Sequence, residues 1–174
     1  MTPSIYVSAV APGTGKVVVS LGLVELGLRE TSRVGFFRPV IVESSDNAPD
    51  EDIELIRESF GLNQSYEASY AWSMSHLLLE LGGRGIDGGM EKIVEDYKNL
   101  EASCDFIVIE GTDYLGQALA LEFDLNALIS RTISAPVVLV GKGKDLSPEE
   151  AVNGLRVAVD GFRAKLSQVI GVML

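Results

Sequence analysis

Five short runs of Val, Ile, Leu and Phe punctuate the chain, at residues 5–10, 35–42, 106–109, 136–140 and 169–174. They lack the strict apolar–polar alternation of strands with one face in water, which is the pattern expected of a parallel sheet covered on both sides. The intervening stretches carry helical spacing. Residues 17–30 are apolar along one helix face, residues 50–60 place Ile53, Ile56 and Phe60 together, and residues 90–101 do the same with Ile93, Val94 and Tyr97. Residues 148–166 follow a start signal, Ser147-Pro148-Glu149-Glu150, in which Ser147 can cap the helix and Pro148 fills its first position. The glycine-rich residues 82–89 predict a flexible loop over the sheet edge. Strands alternating with helices give βαβ units, so the expected fold class is α/β, a doubly wound, mostly parallel sheet flanked by helices. No internal repeat or linker divides the sequence, so residues 1–174 are expected to form a single domain.

Composition narrows the function classes. With 25 acidic and 14 basic residues the formal net charge is −11. That excludes a nucleic-acid backbone as the main partner, because neutralising phosphates takes clustered Lys and Arg. Most of the excess acid reads as a solvated, self-repelling surface, with one local concentration between Glu43 and Glu58. No apolar run approaches the roughly 18 residues of a membrane span. Residues 1–15 lack the basic stretch and apolar core of a secretory signal, and Cys104 is the single cysteine, so no disulfide framework exists. A cytoplasmic setting with no membrane contact is the expectation.

Chemistry concentrates where the first apolar run leads into Ala11-Pro12-Gly13-Thr14-Gly15-Lys16 and then a helical pattern. A strand, a glycine turn and a helix start form the context of a phosphate loop. Its backbone N–H groups and the positive helix end hold phosphate, and its Lys reaches the terminal phosphates. The full pattern G-x-x-x-x-G-K-[ST] is damaged at two places. Val10 stands at the first glycine position and Val17 at the hydroxyl position. Gly13 can restore some curvature, but Val17 removes the hydroxyl that ligates Mg²⁺, so phosphoryl transfer suffers more than anion binding. Three readings stay open: a tight strand-to-helix turn, a residual nucleotide or anion site at Gly13, Thr14, Gly15 and Lys16, and working ATP chemistry.

The remaining signals carry a resemblance. Phe36-Phe37-Arg38-Pro39-Val40 is similar to the Lys-Pro-Val element of dethiobiotin synthetase (BioD), with Arg38 in place of the Lys that faces substrate and phosphate. Asp46-Asn47-Ala48-Pro49-Asp50-Glu51-Asp52 leads into a helix, and Asp52 falls where that enzyme holds a metal-binding Asp. Phe106-Ile107-Val108-Ile109-Glu110-Gly111 resembles the strand end whose Glu is the other carboxylate at Mg²⁺, although it continues as Thr112-Asp113-Tyr114 rather than through glycines. Carboxylates at the ends of parallel strands do converge on a ligand crevice, but acids at a helix start also serve the helix dipole alone.

The order and spacing of the loop with Val18-Val19-Ser20-Leu21-Gly22, the Phe37-Arg38-Pro39 element, Asp46–Asp50 and Glu122-Phe123-Asp124-Leu125-Asn126-Ala127-Leu128-Ile129 resemble a BioD-like, phosphate-loop domain at the N-terminus of long-form phosphate acetyltransferase. The resemblance spans essentially the whole chain. It implies a regulatory and oligomerisation domain with no catalytic residue of its own. Acetyl transfer between acetyl-CoA and phosphate would belong to a C-terminal acetyltransferase domain of the same polypeptide. It implies Gly13, Thr14, Gly15, Lys16 and Arg38 as a degenerate nucleotide or anionic-metabolite site, Asp52 and Glu110 as metal candidates beside a loop that lacks the hydroxyl ligand of Mg²⁺, and a homo-oligomer. The alternatives are an ATP-dependent ligase of the dethiobiotin synthetase type and a phosphate-loop ATPase. The run Val169–Leu174 with no polar terminator reads as the edge of a longer protein. His76, Cys104, Tyr70, Trp72 and the loop lysines Lys142 and Lys144 all read as packing or surface residues, and His76 has no Ser or Asp partner evident in the sequence.

Overall fold

The computed structural model describes residues 2–43, 48–112 and 119–174. Its elements, in chain order, are β1 (Ser4–Ala9), α1 (Lys16–Glu30), β2 (Val34–Ile41), α2 (Glu51–Phe60), a 3₁₀ turn (Glu67–Ser69), β3 (Tyr70–Ser73), α3 (Met74–Gly83), α4 (Gly85–Glu101), β4 (Phe106–Glu110), α5 (Leu119–Thr132), β5 (Val137–Val140), α6 (Pro148–Ala164) and β6 (Val169–Met173). The six strands form one sheet in the order β3-β2-β4-β1-β5-β6, and every adjacent pair is parallel. The connection after β1 leads to β2 on one side, while the one after β4 crosses β1 to reach β5 on the other. That reversal opens a crevice at the carboxyl ends of β1 and β4, the place where doubly wound sheets hold ligands.

Period-two side-chain alternation sorts the strands onto two cores. Tyr6, Phe37, Ile107, Ile109 and Leu139 pack under α4, α5 and α6, against Ile93, Tyr97, Ile129 and Phe162. Val7, Phe36, Val108 and Val140 face α1 and α2, against Val24, Ile53 and Ile56. All eight residues of β2 are buried, Arg38 included. The sheet is thus covered on both faces, as the absence of polar alternation predicts.

Three expectations change. The fully buried stripe of α1 is Lys16, Ser20, Val24 and Gly27, while Val17, Leu21 and Leu28 pack only partly buried beside it and Val18 lies exposed. Gly27 completes that stripe because a Cβ there would stand 2.7 Å from the Phe106 ring. Residues 82–89 are not a loop: they close α3 and open α4, with Gly85 at φ 75° as the pivot. Gly88 and Gly89 are buried because side chains of Arg84 and Leu77 approach to 2.9 Å of where a Cβ would lie. β3, absent from the sequence reading, is a four-residue edge strand whose Trp72 donates its Nε1–H to the Gly89 carbonyl at 3.0 Å. The helix beginning after Ser147 has the full capping box, with Ser147 accepting from the Glu150 amide and Glu150 reaching back to Ser147.

Candidate functional site

β1 delivers the chain to a turn in which Gly13 and Gly15 take φ of 68° and 77°. These left-handed conformations favour glycine, and they let the backbone curl tightly before α1 starts at Lys16. Gly13 therefore supplies the curvature that Val10 cannot. A cavity of about 330 Å³ lies against this turn, lined by Ala9, residues 11–17 and Asp52. The Thr14 hydroxyl oxygen is buried and makes no hydrogen bond among the described residues. Val17 borders the cavity with an alkyl group where a metal-binding hydroxyl is required.

Behind the loop lies a buried charge network. Lys16 is 5% exposed, and its ammonium donates to the Gly111 carbonyl at 2.5 Å and faces Glu110 Oε1 at 3.3 Å. Glu110 is fully buried at the end of β4, and it accepts from the Ser20 hydroxyl at 2.5 Å. Ser20 is one helical turn beyond Lys16 on the same buried face of α1, so the two reach the same carboxylate. Arg38, on β2 and 2% exposed, places Nη1 2.6 and 2.5 Å from the two Asp50 oxygens and 3.2 Å from Asp52 Oδ2. Its Nε lies 3.5 Å from Glu110 Oε1.

Asp50 has a second duty as the cap of α2, accepting the Ile53 amide at 3.1 Å. Its own amide donates to the Tyr66 hydroxyl oxygen at 2.7 Å. Burial pushes the Tyr66 phenol above its ordinary value, and the charge of nearby Asp50 and the neighbouring Tyr70 act the same way.

The sequence-derived candidates thus meet at one crevice. Gly13, Thr14, Gly15 and Lys16 form the loop, Asp52 lines the cavity with it, and Arg38 and Glu110 lie behind. Sequence reasoning gave Asp50 a part in the helix dipole only, yet it is the tightest partner of Arg38. It quoted Ser20 only as part of a family-like run and gave it no role at the site, although the i, i+4 spacing from Lys16 was a readable signal. Asp46, Asn47, Asp113 and Tyr114 lie outside the described residues.

The residues do not fit Mg²⁺. The hydroxyl ligand is replaced by Val17, the carboxylates that remain are engaged by guanidinium and ammonium groups, and no group of three His, Cys, Asp or Glu suited to a metal exists among the described residues.

Asn126 ties the segment after β4 to β1 and α5. Fully buried, its amide oxygen accepts from the Tyr6 hydroxyl at 2.7 Å and the Thr112 amide at 2.9 Å. Its NH₂ donates to the Thr112 hydroxyl and the Glu122 carbonyl, both at 2.9 Å. Gly111 fits beneath because Asn126 and Tyr6 leave no space for a Cβ.

Away from the crevice, Ser73 lies 2.8 Å from Nδ1 of exposed His76, a partner the sequence did not show. Among the described residues no carboxylate hydrogen-bonds His76. The nearby Glu43 instead serves the start of α3, where it accepts from the Ser75 amide at 3.2 Å and from the Ser75 hydroxyl. Burial pushes the Glu43 carboxyl up, but hydrogen bonds from Ser73 and Ser75 prevail and hold it below its ordinary value. This is an anion at a helix N-terminus, not a nucleophile–base pair.

A family model described as an AAA domain matches residues 3–174. The chain belongs to that family. Its sequence is 32% identical over 174 residues to a phosphate acetyltransferase of Synechocystis, covering all of this chain and 25% of that protein. It is 37% identical over 161 residues to a phosphate acetyltransferase of Nitratidesulfovibrio vulgaris, covering 92% of this chain and 23% of that protein. The chain therefore spans about a quarter of the length of these relatives. It is also 28% identical over 187 residues to an ATP-dependent dethiobiotin synthetase of Clostridium perfringens, covering all of this chain and 78% of that protein.

Among solved structures, the kinase domain of the Escherichia coli tyrosine kinase ETK superposes with a TM-score of 0.51 at 12% identity, covering 99% of this chain and 67% of that one. A plasmid partition protein of Borrelia burgdorferi gives 0.52 at 14% identity, covering 100% and 78%. These two similarities concern the fold alone. The AAA domain chain is a BioD-like, phosphate-loop domain of the kind phosphate acetyltransferases share with dethiobiotin synthetase.

Proposed function

We propose that the chain is the N-terminal regulatory and oligomerisation domain of a phosphate acetyltransferase, working in the cytoplasm. In this reading the reaction acetyl-CoA + phosphate ⇌ acetyl phosphate + CoA is carried out by a C-terminal domain of the same polypeptide. The observation that carries the proposal is the closure of the phosphate-loop machinery on itself. Lys16 is bound to the Gly111 carbonyl and Glu110, while Arg38 is bound to Asp50 and Asp52. Phosphoryl transfer depends on a Lys and a metal held against the terminal phosphates. Here the Lys is anchored inside the protein and the metal's hydroxyl ligand is Val17.

What the loop retains suits recognition rather than turnover. A left-handed glycine turn at a helix start offers backbone N–H groups to an anion, and the buried Thr14 hydroxyl adds a donor. A nucleotide or another anionic metabolite held there would sit on α1 and at the end of β4, through which occupancy can reach the rest of a larger assembly.

Titration calorimetry with ATP, ADP, NADH and pyruvate, together with size-exclusion chromatography with light scattering, tests the proposal. It predicts binding of an anionic metabolite without hydrolysis, and self-association. Mg²⁺-dependent ATP turnover, or ligation of carbon dioxide to a diamine in the manner of dethiobiotin synthetase, would overturn it.

A further inference from the structure

A fully buried arginine on an interior strand is costly. The desolvation of a guanidinium amounts to several kcal/mol unless it is closely paired. Arg38 occupies such a place on β2, between β3 and β4 in the sheet. What surrounds it is unusual for an ordinary ion pair. Three carboxylates from two elements converge on the one guanidinium: Asp50 capping α2, Asp52 in its first turn, and Glu110 at the end of β4. Asp50 and Glu110 are themselves buried, at 7% and 0% side-chain exposure.

Carboxylate oxygens beside a phosphate loop are the kind of donor a hard divalent cation takes, although with Arg38 among them the three form no metal site among the described residues. Here they close on a monovalent, non-exchangeable one, and Lys16 shares Glu110 with it. Val17, which borders the loop cavity together with Asp52, removes the hydroxyl ligand.

We propose that Arg38 is the resident cation of this site, standing among Asp50, Asp52 and Glu110 in the place of a divalent metal, so that anions reach the loop in their metal-free form. Val17 and Arg38 are then two halves of one change. A hydroxyl that would ligate metal is lost, and a guanidinium neutralises the carboxylates that would have held it. One consequence is that restoring the hydroxyl alone, by Val17→Thr, gains little for metal binding while Arg38 remains. The inference borrows only the location of the site from the regulatory reading, and its test involves neither anion nor acetyl transfer, so either can fail without the other.

The test is a Mn²⁺ titration followed by the loss of the free-ion electron paramagnetic resonance signal. Wild type is compared with Arg38→Met and Arg38→Gln, with near-ultraviolet circular dichroism reporting that each variant is folded. Wild type is expected to leave added Mn²⁺ free. The Arg38 variants should gain one bound ion, at least about tenfold tighter than any wild-type binding, and should lose it when Glu110→Gln is added. The glutamine variant keeps a donor towards Asp50, so it preserves the comparison if the methionine variant does not fold. Wild-type protein that binds one Mn²⁺ in a Glu110-dependent manner would overturn the proposal. So would folded Arg38 variants that bind none.

Discussion

Replacing Glu110 by Gln preserves the shape of a fully buried side chain while deleting its charge. In the native protein this carboxylate accepts from Ser20 at 2.5 Å and faces Lys16 at 3.3 Å and Arg38 at 3.5 Å. The amide oxygen can still accept from Ser20, but its NH₂ then meets two cations. Breaking a buried ion pair by removing one partner costs about 3–5 kcal/mol, because the remaining charge is left uncompensated. Lys16 keeps the Gly111 carbonyl and Arg38 keeps Asp50, so the lower end, about 3 kcal/mol, is expected. For a domain of this size about 1 kcal/mol shifts Tm by roughly 2–4 °C, giving a loss of about 6–12 °C.

Urea unfolding with an unchanged m-value is the cleaner assay, since it reports stability without a change of mechanism. Adding Lys16→Met to Glu110→Gln removes the cation left behind, so the double variant should be less destabilised than the sum of the singles, by about 1–3 kcal/mol. A Glu110→Gln loss below about 0.5 kcal/mol, or strict additivity with Lys16→Met, would refute the reasoning.

Other outcomes follow from single contacts. Asn126→Ala withdraws the acceptor shared by Tyr6 and Thr112 and the donors serving Thr112 and Glu122, so it should cost about 3 kcal/mol or more by urea denaturation. Ser147→Ala removes the cap of α6 and should cost about 1 kcal/mol, seen as a fall in Tm of roughly 2–4 °C. Hydrogen bonds from Ser147 hold the Glu150 carboxyl below its ordinary value. That part of the penalty is therefore present above the ordinary carboxylate value and disappears as pH falls through the depressed one. Burial raises the Cys104 thiol, so at mildly alkaline pH the native protein should react with a thiol reagent far more slowly than the urea-unfolded protein; equal rates would contradict the packing around it.

The main architecture was legible because the sheet is buried on both faces, which leaves near-continuous runs of Val, Ile and Phe that no other element of a small domain needs. β3 escaped for the converse reason. It has four residues, borders only β2, and presents half-buried Tyr70 and Trp72, so its sequence lacks the apolar density of an interior strand. The glycines of residues 82–89 signal a loop by local propensity. Tertiary packing decided otherwise, since Gly88 and Gly89 bring α4 close against α3 and their missing Cβ atoms are the means.

At the site, the loop and its two damaged positions were readable because phosphate-loop spacing is local. Arg38, Asp52 and Glu110 were also named from the sequence, but their relation was not. Which carboxylate closes on Arg38 depends on where α2 begins relative to β2, a distance set by the sheet and not by the twelve-residue separation in the chain. The same limit applies to α1. Its apolar residues suggested one buried face, whereas the face turned to the sheet begins with Lys16 and Ser20, because Glu110 waits there as their shared partner.

The reading of a phosphate-loop domain closed on its own charges meets its most direct test in steady-state phosphate release from ATP by the purified chain with Mg²⁺. No release above a protein-free control is predicted, with or without Val17→Thr. Turnover that requires Mg²⁺ and disappears in Lys16→Ala would contradict it.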